Sequence, residues 1–214
     1  MTMIRTLEQL IDSLSADLAW RKKELSILNS LVESATTSPS KEKALLRCGI
    51  AILYAHWEGF IKTSASHYLE FIAGRQLKYT ELSSNFVALA FKSELKQAYE
   101  TNKATIFTQA IDFIRLRLDD CSSIPYKDVI KTGNLSSSTF KEIVCVLGLD
   151  YSFYETKQIL IDEKLRVRRN SIAHGEYLQL NKQDYLELHS QIIGIMDHFR
   201  TQIENCAVCE SYRC

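Results

Sequence analysis

One segment concentrates the residue types that do chemistry on phosphate: RRNSIAHG, Arg168 to Gly175. Histidine is the side chain best suited to both taking and giving a proton near neutrality. Arginine offers a planar fork of donors that grips phosphate oxygens in pairs. Together they suffice for metal-free cleavage of RNA, in which a base takes the 2′-OH proton and a cation stabilises the charged phosphorane. Arg169 and His174 are the candidate catalytic pair. Asn170 lies four residues before His174, can share its helix face, and is a candidate positioning group. Lys164, Arg166 and Arg168 make the preceding turns strongly basic and are candidates for holding the RNA backbone.

Helix geometry limits this reading. Five positions on a straight α-helix correspond to ~140° of rotation, so the Arg169 and His174 side chains would point apart. Gly175 directly after the histidine predicts that the helix stops there, leaving His174 at a capping position and free to turn. The same residues also have a purely structural explanation, because basic side chains complement a helix C-terminus and a histidine before a capping glycine is ordinary. Spacing alone does not choose between the two.

The elements that must position this segment are helical. With two prolines and seven glycines in 214 residues there is little to break helices or form hairpin turns. Apolar residues at Ile4, Leu7, Leu10, Ile11, Leu14, Leu18, Leu25, Leu28, Leu31 and Val32 recur at threes and fours, the stripe of a long helix ending near Ala35. Ser38 and Pro39 predict the start of a second long helix, with Gly74 as its cap. Shorter helices are expected over Asn85–Tyr99 and Ala104–Leu118. A long connection follows, CSSIPYKDVIKTGNLSS, and then a short helix capped by Thr139 and Glu142. Glu155–Ala173 and Lys182–Asn205 complete the set, the last capped by Asn181 with Tyr185, Leu188, Ile192, Ile195, Met196 and Phe199 inward. No stretch alternates as a strand would. The expected fold is all-α, an elongated bundle with two long N-terminal helices, one domain over 1–205 and a tail over 206–214.

Charge balance bounds the partners. Twenty-six basic and 26 acidic residues cancel, so any attraction to nucleic acid must come from a local patch. No apolar run is long enough to span a bilayer, and the N-terminus lacks a secretory pattern. Cys48 and Cys145, within apolar helical patterns, read as reduced, buried thiols of a cytoplasmic protein.

RNSIAH in the penultimate helix of an all-helical domain resembles the R-x(4–6)-H signature of the HEPN superfamily, and Asn170 matches its frequent polar position. YAHWEGFIK, Tyr54 to Lys62, and TGNLSSSTF are similar to segments of a stand-alone bacterial HEPN-like ribonuclease branch, so the resemblance runs from about Lys43 to Phe199. It implies a metal-independent endoribonuclease with no cofactor, Arg169 and His174 as its pair, and a toxin or antiphage role with an antitoxin or defence-system partner. It also implies a homodimer, with the RNA cleft where two such segments face each other. A cleft between chains would gather side chains that a single helix splays.

Other features carry two readings each. Glu58, and with it His56, is a candidate for reaching the same cleft, or else Glu58 forms a structural ion pair while Trp57 and Phe60 are core. Gly59 inside a long helix costs about 1 kcal/mol relative to alanine and suggests close approach by another group. Cys206, Cys209 and Cys214 could make half a zinc site or a redox pair, or lie in a disordered or packed terminus. No further metal-ligand pattern, Walker-type loop or dinucleotide fingerprint occurs. The alternative function is a non-catalytic helical adaptor that uses the same basic surface to bind RNA, nucleotide or a partner protein.

Overall fold

The structure, a computed structural model, describes residues 3–34, 38–92, 96, 104–127 and 129–214. Its frame is three long helices: α1 (Leu7–Ser34), α2 (Pro39–Gly74) and α8 (Lys182–Val208). Between α2 and α8 lie α3 (Ser84–Ala90), α4 (Ala104–Arg117), α5 (Ser137–Val146), the single turn α6 (Ser152–Glu155), a π-helix (Leu160–Val167) and α7 (Arg168–Ala173). Among the described residues there is no β-strand, only two isolated bridge pairs, Lys78 with Cys121 and Leu82 with Arg213. The all-α bundle with two long N-terminal helices is therefore what the chain forms. At 1.5 Å per residue α2 spans ~54 Å, which makes the bundle elongated.

The apolar stripe of α1 (Leu10, Leu14, Leu18, Leu25, Val32) packs on α2 and α8, and α2 is buried on most sides. Its Trp57 meets Phe140 of α5, and Phe140 is also edge-on or tilted against Tyr151, Tyr154 and Phe199. One cluster of buried residues runs from Ile4 to Tyr212. The last helix continues three residues past Asn205. Beyond it Tyr212 is buried, its ring 5.9 Å from that of Phe71, and the Cys214 thiol donates to the Leu82 carbonyl at 2.8 Å. The C-terminal residues are thus packed against the bundle.

Several local features depart from expectation. Gly74 is the last residue of α2, and the left-handed position falls on Gln76 (φ 50°). A Cβ on Gly74 would meet the Ile4 carbonyl at 3.2 Å, so this glycine admits the chain leading into α1. Ser136 caps α5, accepting from the Thr139 N–H at 3.1 Å, so Thr139 sits inside the helix instead of opening it. Asn181 caps α8 as expected, accepting from the Gln183 N–H at 2.7 Å. Of the helix expected over Asn85–Tyr99, residues 93–95 and 97–99 lie outside the described residues. Cys48 and Cys145 are free but exposed, since they fall between the core-facing positions of α2 and α5. The group approaching Gly59 is the Arg21 guanidinium, which a Cβ would meet at 2.7 Å.

Candidate active site around Arg169

The segment expected to be one helix, Glu155–Ala173, is helical without a break over 158–173, but its hydrogen-bonding register changes along the way. A π-helix carries an extra residue in each hydrogen-bonded turn, is rare, and tends to occur at functional sites. Here it covers eight residues and hands over to α7 directly before Arg169. Leu160, Ile161 and Leu165, four and five apart, are its buried side. Asp162 ties it to the start of α5, accepting from both the N–H and the hydroxyl of Ser137. Burial pushes the Asp162 carboxyl up, but those two bonds and Arg166 outweigh it and hold the group below the usual carboxylate range.

Arg169 enters a socket built by α2. Its guanidinium carbon lies 4.0 Å from the centre of the Tyr54 ring, a cation–π contact, and Nη2 is 4.0 Å from Oε2 of Glu58. Nη1 donates to the Asn170 side-chain oxygen at 2.9 Å. Oε1 of Glu58 accepts from the Tyr54 hydroxyl (3.2 Å) and from the Leu135 N–H (3.1 Å). Burial first, and Glu58 second, push the Tyr54 hydroxyl up to about 12, so it stays protonated and acts as a donor. The arginine is thereby held by a ring beneath it, a carboxylate beside it and an amide next to it in sequence.

His174 sits on the turn after α7, solvent-exposed, with φ −84° and ψ 3°. The turn is a Schellman motif around left-handed Gly175 (φ 74°): the Glu176 N–H donates to the Ser171 carbonyl and the Gly175 N–H to the Ile172 carbonyl. Arg47 of α2 pins it from outside, donating to the Glu176 carbonyl at 2.8 Å and to the Ile172 carbonyl at 3.4 Å. The helix stop at Gly175 is as expected. Among the described residues no hydrogen bond or ion pair joins His174 to Arg169, and Asn170 turns to the arginine while only its backbone carbonyl meets the histidine N–H, at 2.9 Å.

The remaining candidates divide. Lys164 is exposed. Arg166 is engaged by Asp162 at 3.2 Å, and Arg168 lies 3.9 Å from Asp184 of α8. Glu58 reaches Arg169. His56 does not: two positions along a helix are ~200° apart, which turns it to α1. There its Nε2 contacts Glu24 at 2.8 Å, its ring meets Trp20 edge-on, and its carbonyl accepts from Arg21. Burial holds its pKa below the ordinary value despite Glu24. The expectation of His56 as a supporting group is corrected by this placement.

Sequence reasoning missed Tyr54 and Arg47. A signal was present, since Arg47, Tyr54 and Glu58 are seven and four residues apart and share one stripe of α2. Replacing Glu58 with alanine leaves the N–H of fully buried Leu135 unpaired, which costs roughly 1–3 kcal/mol. Glu58→Gln keeps an acceptor there and loses less. Urea denaturation of both variants checks the order; equal losses would show that Leu135 does not rely on this carboxylate.

Comparison with known proteins adds one match. The family model described as HEPN_MAE_28990-like HEPN matches residues 10–212, nearly the whole chain. No curated protein and no solved structure matches.

Proposed function

Because the chain belongs to the HEPN family, we propose that it is a metal-independent endoribonuclease acting on single-stranded RNA. The observation that carries this reading is the socketed Arg169, fixed over Tyr54 and beside Glu58, one short helix before the exposed His174. An arginine so held is pre-organised to receive charge as it develops on a phosphate. In the reaction a general base takes the 2′-OH proton, the 2′-oxygen bonds to the adjacent phosphorus, and the bond to the 5′-oxygen breaks. That oxygen takes a proton from a general acid, giving 2′,3′-cyclic phosphate and 5′-hydroxyl ends. His174 fills the acid or base role, Arg169 stabilises the phosphorane, and Asn170 positions Arg169.

The homodimer belongs to the same proposal. Val167 and Tyr177, exposed apolar residues that flank the Arg169–His174 segment, together with Ile159 further back, suit a surface covered by a second copy. Such a pair would bring two arginines and two histidines into one cleft. No helix among the described residues is long and apolar enough to cross a membrane. The biological setting proposed is a cytoplasmic toxin or antiphage effector restrained by a separately encoded partner.

The test is cleavage of single-stranded RNA by purified protein in excess EDTA, with end-group analysis of the products. Cleavage with cyclic-phosphate ends is the expected result. A strict need for added divalent metal would overturn the mechanism, and binding without cleavage would favour the adaptor reading.

A further inference from the structure

Next to the arginine socket, on the other side of Glu58, is a cavity of about 560 Å³. Ala55, Glu58, Gly59 and Lys62 of α2 form one wall, and Ile130 to Gly133 of the connection before α5 form the other. Its size falls in the range of small-ligand sites. Lys62 and Lys131 are exposed at it, and among the described residues neither has an ion-pair partner. Thr132 is 6% exposed, and its hydroxyl has no hydrogen-bond partner among the described residues.

The loop's backbone adds donors of its own. The N–H groups of Thr132, Gly133 and Asn134 reach no acceptor among the described residues. Asn134 is left-handed (φ 58°), and a Cβ on Gly133 would meet nothing within 4 Å. Successive free N–H groups at a turn with a left-handed residue form an anion-binding concavity. The one acidic side chain in the wall, Glu58, is turned to Leu135, Tyr54 and Arg169. Among the described residues, two ammonium groups without ion-pair partners, the Thr132 hydroxyl and the free N–H groups of Thr132 and Gly133 therefore lie at one cavity. It shares Glu58 with the site where the scissile phosphate would sit.

We propose that this cavity is a subsite for an RNA phosphate next to the scissile one, held by Lys62, Lys131, Thr132 and Gly133. The inference rests on the ribonuclease reading and adds the path of the strand: along α2 from Arg169 toward Lys62. It makes the strand's register depend on residues far in sequence from RNSIAH.

The experiment compares wild type with Lys62→Ala/Lys131→Ala, using a fluorescent 2′-O-methyl single-stranded oligonucleotide that cannot be cleaved. Both lysines are exposed, so the variant should fold, and its thermal melt verifies this. Affinity is expected to fall about 10-fold. The slope of log K against log salt should flatten by about 1.4, since each single-strand phosphate that a lysine neutralises accounts for about 0.7. A charge-matched control, Lys23→Ala/Lys78→Ala, removes exposed lysines from α1 and from beyond the end of α2 and should leave the slope in place. With cleavable RNA, KM should rise while kcat is kept. An unchanged slope in the folded cavity variant, an equal loss in the control, or no binding by wild type overturns the subsite. Cleavage at wild-type KM by the cavity variant would do so while leaving the ribonuclease reading intact. Cavity-dependent binding by a wild-type protein that cuts nothing would support the subsite and sink the ribonuclease reading.

Discussion

His174→Ala is expected to lower RNA cleavage by the proposed ribonuclease about 10²- to 10⁴-fold in kcat, the range that a positioned acid–base group contributes. The fold should not notice. His174 is exposed, and the turn carrying it is held by backbone bonds, Gly175 and Arg47, none of which uses the imidazole. A melting temperature equal to wild type alongside the activity loss is the expected signature. Arg169→Ala should lose about 10²- to 10³-fold, as removal of one preorganised stabilising donor does. Arg169→Lys should not restore it, because an ammonium keeps the charge but neither stacks as a plane on Tyr54 nor offers paired donors to phosphate. Full activity in either alanine variant, measured on single-stranded RNA in EDTA, would remove the catalytic assignment.

Phe140→Ala is expected to cost about 3–5 kcal/mol of stability, the range for a fully buried phenylalanine. Its ring lies 4.8 Å from Tyr154, 5.7 Å from Phe199, 6.0 Å from Trp57 and 6.3 Å from Tyr151, so α2, α5, α6 and α8 meet on it. For a chain of this length the loss corresponds to a fall in Tm of roughly 6–20 °C. The site should feel it as well. The loop that donates the Leu135 N–H to Glu58 leads straight into the helix that Phe140 anchors. Urea denaturation gives the number, and a change below about 1 kcal/mol would show that the aromatic cluster is not a packed hub.

Much of the frame was legible because it is written in short-range patterns. Apolar residues at threes and fours describe α1 and the inward face of α8. Asn181 announces the start of α8 because a side-chain oxygen two residues upstream meets a free N–H whatever the rest of the chain does. Gly175 announces the stop of α7 because only a residue tolerant of positive φ closes that turn cheaply. The cap of α5 lies three residues before Thr139, since several serines there compete for one position and only packing selects Ser136. Cys48 shows the reverse limit: an apolar neighbourhood in sequence does not state which side of the helix faces out.

The candidate site divides along the same line. By itself the sequence determined which groups are available for chemistry: an arginine and a histidine five positions apart, an asparagine between them, a glycine to end their helix. It also marked α2 as the helix with polar groups inside an apolar stretch, where Glu58 was a candidate and His56 was not distinguished from it. Only the tertiary structure decided which of these meet. Glu58 and His56 are two residues apart and end on opposite sides, one on Arg169 and the other on Glu24. The Tyr54 ring beneath Arg169 and the Arg47 side chain holding the His174 turn come from more than 100 positions away, and the π-helix that sets the phase of Arg169 packs against α2 and α8. Local propensity and capping act over about one helical turn. Which face of one helix lies against which face of another is a property of the whole packed core.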